Sequence, residues 1–360
     1  MEYNRKLVLA DGSVFNGNGF GLDAEVVAEV VFYTGMAGYE HVLTDGAFHS
    51  QAVVMSYPLI GNYGVDQSVM NAAPSGTSAM IVKEHCTTPS NWKSVATIDE
   101  ALKAKGIVGL CDVDTRALVI KLREVGTMRG IIVDAEVSVD EALGKLEAAA
   151  VVTNQVETVE TMESYRVAVK NSKHKVAVLS FGAKIDGIVD ELTDRDCEVV
   201  VLPFTQVTTE KIGNLQPDGV IIGNGPGSPT DVAGLTVVKE IVDQYPTFGI
   251  GLGMQLIALS AKATISKMTF GHRGENVPVK DLATNRTLIT SQNHGYVVDE
   301  SSLAGANLAM THVAINDGSV AGIKHEKLPV FGVQFQPSVH VGPADAQYLF
   351  DQFVASLGGK

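Results

Sequence analysis

From Val176 onward, short apolar runs alternate with helical stretches, and this alternation limits the possible folds more than any other feature of the chain. VAVLSFG (176–182), EVVVLPF (198–204) and DGVIIG (218–223) have the length and branched-residue content of strands buried on both faces, with a helical stretch between the first two. Strand, helix and strand in that order need a crossover, so this part is expected to be a parallel sheet covered by helices. TFGIGLGMQLIALSAKA (247–263) adds a buried strand, a sharp glycine turn and a helix. At the end of the chain Ala346, Leu349, Phe350, Phe353, Val354 and Leu357 recur at helical spacing, and Gly358 stops the run.

The first part is different. LVLA and SVF flank Asp11-Gly12, a two-residue hairpin signal, and Val26 to Tyr33 is a branched apolar run. Helical periodicity is sparse before Thr115; Leu118, Val119 and Leu122 then predict a helix over 115–125, and a Glu- and Ala-rich stretch follows over 135–150. At 360 residues the chain exceeds one ordinary core. The expected fold class is therefore α/β with an N-terminal β-rich α+β domain over 1–150, a linker over 151–174 and a C-terminal domain over 175–360 with a mainly parallel central sheet.

Composition removes several functional classes. The 27 basic and 41 acidic side chains leave a net charge of −14, the wrong sign for a nucleic-acid partner. Cys86, Cys111 and Cys197 are far apart, which suits neither a disulfide framework nor a zinc site, and His41, His49, His85 and His312 lack metal-ligand spacing. No apolar run approaches the roughly 18 residues of a membrane span. The expectation is a cytoplasmic protein with no membrane association.

The glycines at 249, 251 and 253 admit two readings. A dinucleotide loop needs GxGxxG and an acidic residue about 20 positions on, and GIGLG provides neither. A nucleophile elbow, G-x-nucleophile-x-G, fits the strand, turn and helix better, but its centre here is Gly251.

Longer motifs decide the resemblance. EVVFYTGMAGYEHVLTD (29–45), SYPLIGNYG (56–64) and DVDTRAL (112–118) in the first half, with IIGNGPGSP, GIGLGMQLIAL, KMTFGHRGENVPVKD, ITSQNHGYVVD and the terminal FQPSVHVGPADAQYLFDQF in the second, resemble the small, glutamine-amidotransferase subunit of carbamoyl-phosphate synthetase. The resemblance implies a class I amidotransferase domain that hydrolyses glutamine and passes ammonia to a large subunit. It places ATP and metal on that large subunit only, with no cofactor in this chain. It also implies a cysteine nucleophile, a histidine base and an orienting glutamate, and it locates those roles at Gly251, Gln336 and Ser338. None of the three side chains can take its role. Ala47 stands where a substrate-contacting serine is expected, Met254 where a histidine is, and Ser180 where a strand normally ends in Asp.

The remaining glutamine-pocket positions implied by the resemblance persist as Gly225, Gly227, Leu252, Gln255, Asn293, Gly295 and Tyr296. Turn geometry alone would also keep the NGPG and QNHG glycines, helix packing would keep Gln255, and His294 suits a hydrogen-bonded structural role. Three functions follow as alternatives: a glutaminase-inactive structural and regulatory subunit of an ammonia-dependent synthetase, a glutamine-binding sensor, and a glutaminase using an unconventional residue. Ser338 and His340, two apart, are the Ser/His pair nearest the expected site for the last.

Overall fold

A computed structural model describes residues 3–72, 76–160, 163–338 and 344–358. The chain divides into two compact units, Met1–Val152 and Thr153–Lys360.

In the first unit seven of the described strands close into a barrel, Arg5–Leu9, Val14–Gly21, Val108–Cys111, Ala79–Ile81, Gln51–Met55, Val26–Tyr33 and Met128–Asp134, the last pairing back onto the first, and Leu59–Ile60 pairs with Glu84–His85 apart from it. The Asp11-Gly12 hairpin forms as expected, with Val8 opposite Val14 and Gly12 at φ 82°. Closure buries both faces of Arg5–Leu9, because Val8 packs outward with Ile131 and Val133 beneath Ala142 and Leu146 of the helix Val139–Ala148. The helix Thr115–Val125 also forms, its first turn capped by Asp114, whose carboxylate accepts from the Ala117 N–H at 2.9 Å.

Helical structure before Thr115 is more extensive than the sparse periodicity predicts. Tyr39–Thr44 and Gln67–Asn71 are too short to show a period. Ile98–Lys105 does carry a local signal: Thr97 and Glu100 form a reciprocal capping box.

The second unit is built on a ten-stranded sheet among the described residues. Its five central strands run parallel in the order Cys197–Pro203, His174–Ser180, Gly219–Ile222, Thr247–Ile250 and Val330–Val333. In chain order this is 2-1-3-4-5, a doubly wound arrangement whose ligand crevice lies beyond the carboxyl ends of the strands. Along His174–Ser180 the side chains alternate: Ala177 and Leu179 join the core that holds Leu252, Met254 and Ile257, while Val176 and Val178 join the one that holds Phe248, Phe350 and Phe353.

The 151–174 segment is shorter as a connection than expected. Gln155–Val159 is helical with Val156 and Val159 buried in the second unit's core cluster and alongside it, and Tyr165–Val167 pairs antiparallel with Cys197–Pro203 as an edge strand. Two buried valines in a polar stretch give too little periodicity to reveal such a helix from sequence.

Among the described residues no helix is long and apolar enough to cross a membrane. The closing helix, Tyr348–Ser356, lays Phe350 and Phe353 against Phe248, whose ring stacks on Phe331 at 4.5 Å between centroids. Phe350→Ala is expected to lower the unfolding free energy of the second unit by about 3–5 kcal/mol. Urea denaturation followed by circular dichroism measures it, and a loss below ~1 kcal/mol would contradict this packing role.

Candidate active site

The strand Thr247–Ile250 passes to the helix Leu252–Ser260 through a single residue, Gly251, at φ 57° and ψ −114°. That backbone costs an L-residue with a Cβ on the order of 1–3 kcal/mol, and glycine relieves it. The flanking glycines act differently. A Cβ on Gly253 would overlap the Ile222 carbonyl oxygen, and one on Gly249 would lie 2.8 Å from the Gly253 carbonyl carbon, so they let the helix sit close on the neighbouring strands. The elbow is intact; its reactive side chain is absent.

Register brings the other positions to the same edge. Ile250 pairs with Val333, the Gly251 N–H donates to the Val333 carbonyl at 2.8 Å, and Gln336 follows three residues later, bridging to Ser291. The Gln336 Nε2 donates to the Ser338 Oγ at 3.1 Å. Both groups are neutral, and neither can accept a proton from a nucleophile near neutral pH.

The next strand supplies Asn224. Its Oδ1 accepts from the Leu252 N–H at 3.0 Å, the donor that an elbow offers to an oxyanion. A Cβ on Gly251 would overlap that same oxygen and lie 2.6 Å from the Asn224 Cγ. Space for a nucleophile and the oxyanion donor are both taken by one carboxamide.

Gln255, 3% exposed, donates through Nε2 to the Tyr296 carbonyl at 2.8 Å and to the Gln334 Oε1 at 3.0 Å. His294 also meets the Tyr296 carbonyl, 2.8 Å from Nδ1, and its Nε2 is 2.8 Å from the Gln292 carboxamide. Enclosure, reinforced by the facing His272, pushes the His294 ring down to about 3, so it is neutral at ordinary pH; QNHGY is a stretch of the strand Thr287–Val298, not the turn expected from its glycine. The Asn293 Nδ2 is buried with no hydrogen-bond partner among the described residues.

Comparison with known proteins follows these two units. The signature of the carbamoyl-phosphate synthase small chain, CPSase domain, matches residues 7–132, and that of the class-I glutamine amidotransferase matches residues 177–356. A carbamoyl phosphate synthase small chain of Fusobacterium nucleatum is 46% identical over 99% of this chain and 98% of its own length. Those of Bacillus caldolyticus and Bacillus cereus are 46% and 44% identical, each over 98% of this chain and 96% of its own length.

The chain belongs to the carbamoyl phosphate synthase small chain family.

Within this family member the second unit brings Gly225 against Leu252 beside Gly251, while Gly227 lies against Gln155. Gly225 is wedged between Phe181 and Leu252: a Cβ there would lie 2.6 Å from the Phe181 carbonyl oxygen and 3.1 Å from the Leu252 Cδ2. Asn293, Gly295 and Tyr296 lie on the neighbouring strand Thr287–Val298, tied to the elbow helix by the bond from Gln255. Met254, where the resemblance expects a histidine, is fully buried in the apolar core against Gly332. Ala47 belongs to the first unit, where it is 3% exposed and its N–H donates to the Asp45 Oδ1. Ser180 is buried, and its Oγ accepts from the Gly182 N–H at 3.3 Å.

Substitute nucleophiles are poorly placed. Burial, with the adjacent Asp112 and Asp196, pushes the Cys111 and Cys197 thiols up to about 12 and 11, away from the reactive thiolate. Ser338 is 3% exposed and bonded to Gln336, and its suggested partner His340 lies outside the described residues. Sequence reasoning missed Asn224, whose contact with the elbow spans 28 residues of chain.

Two measurements check this geometry. Gly251→Ala is expected to destabilise the second unit by about 1–3 kcal/mol, because the strained turn then carries a Cβ; an unchanged urea midpoint would contradict it. His294 titrates near 6.5 when unfolded and near 3 when folded, so the unfolded chain binds more protons between these values. Stability is therefore full above about pH 6.5 and falls as pH drops toward 3, and His294→Gln is expected to shrink the loss between pH 7.5 and 5.

Proposed function

We propose that this chain is a carbamoyl phosphate synthase small chain that no longer hydrolyses glutamine. It serves a large synthetase subunit in the cytoplasm as a structural and regulatory partner, and that subunit takes ammonia from solution. The observation that carries this reading is the elbow: Gly251 has no side chain, and the neutral Gln336–Ser338 pair stands where base and orienting acid belong. By analogy with protease triads, whose loss costs roughly 10⁶ in turnover, about 8 kcal/mol of barrier stabilisation is missing. ATP and metal chemistry belong to the large subunit.

A second reading is a glutamine sensor that binds without turnover. The orphaned Nδ2 of Asn293, at a position the family uses for its substrate, favours it.

With the large subunit present, ammonium is expected to support carbamoyl phosphate formation and glutamine to leave it at background. Glutamine-dependent formation within about tenfold of the ammonium rate would overturn the reading. Restoring Gly251→Cys alone is expected to release almost no glutamate, since a free thiol near 8.5 is mostly protonated at neutral pH and Gln336 cannot take its proton. The triple change with Gln336→His and Ser338→Glu should exceed the single one, because those groups act as a unit.

A further inference from the structure

Two carboxamides of the chain itself lie against positions that the family resemblance gives to glutamine, Asn224 at Gly251 and Leu252 and Gln155 at Gly227. Asn224 accepts the Leu252 N–H and fills the space in front of Gly251. Gln155 lies against the NGPG loop: a Cβ on Gly227 would be 2.5 Å from its Oε1 and 3.0 Å from its Cδ. Gly227 sits at φ 88°, so this loop has only hydrogens there and the glutamine side chain rests directly on its backbone.

The segment that carries Gln155 is held on the sheet by its neighbours. Val156 and Val159 are buried, and Val159 packs against Gly182, which follows the first parallel strand. The Glu160 carboxylate accepts from the Phe204 and Thr205 N–H groups at 2.5 and 3.0 Å. The placement of Gln155 comes from these anchors.

We infer that Asn224 and Gln155 are internal occupants that hold this pocket closed to free glutamine. The inference rests on the reading of the chain as glutaminase-inactive. The chemistry is self-consistent: a pocket built for a primary carboxamide is filled by two, one on the oxyanion donor and one on the NGPG loop. With no nucleophile at Gly251, nothing keeps Asn224 off the Leu252 N–H, so loss of the nucleophile also quenches the oxyanion donor. A free ligand binds only the fraction of molecules in which both side chains have moved, and its apparent affinity falls by that fraction.

Calorimetry with L-glutamine on the full-length chain tests this, beside the Asn224→Ala, Gln155→Ala and double variants, with glutamate release measured in each. The double variant is expected to bind at least about tenfold more tightly than the parent, and each single variant to lie between. Asn224→Asp keeps the acceptor and should bind no better than the parent. A double variant no tighter than the parent would overturn the inference. Glutamate release by the parent would instead overturn the inactive reading, whatever the affinities. Amide exchange on the unmodified chain gives a check that needs no variant to fold: the Leu252 N–H should be protected, and exchange at the rate of a free amide would overturn the role of Asn224.

Discussion

The second unit depends on one turn. A parallel strand hands over to a buried helix within a single residue, and only a backbone in the positive-φ region allows this at Gly251. The glycines on either side then let the helix Leu252–Ser260 approach the neighbouring strand closely enough for Met254, Leu256 and Ile257 to enter the core. An amidotransferase stores strain here to expose a nucleophile. Glycine at the centre adopts this backbone without a Cβ penalty while the packing stays.

The absence of a side chain at Gly251 is met by neighbouring groups through local chemistry. An N–H at a helix start needs an acceptor, and with no substrate oxyanion or thiol to compete, the Asn224 carboxamide provides it. The Gln336–Ser338 bond likewise satisfies two polar side chains where a charged dyad would otherwise be enclosed, and avoids the desolvation cost of those charges. The buried Nδ2 of Asn293 and Nε2 of Gln334 remain without a hydrogen-bond partner among the described residues. Retention of the pocket glycines follows from the same packing, since Gly225 has Phe181 and Leu252 against it.

Local signals in the chain were good guides where a single element decides its own conformation. The Asp11-Gly12 hairpin, the helix Thr115–Val125 and the closing helix Tyr348–Ser356 each carry their turn residues or apolar spacing within one segment. Ile98–Lys105 was not read from the sequence, since its eight residues show little period, although its Thr97/Glu100 box is a local signal. Nor was the buried place of Met254. A buried helix is apolar on all sides, so spacing cannot say which residue faces the sheet and which faces a pocket.

By itself the sequence determined the strand–helix alternation, the elbow, and the chemical emptiness of Gly251, Gln336 and Ser338, because residue type alone settles whether a group can attack or take a proton. Tertiary structure decided which barrel strands close on one another, that 155–167 folds onto the second unit, and that Asn224 and Gln155 lie over the elbow and the NGPG loop. These contacts join segments separated by tens of residues. Their geometry is set by strand register and by the close approach of helix to sheet, neither of which leaves a periodic trace in the chain.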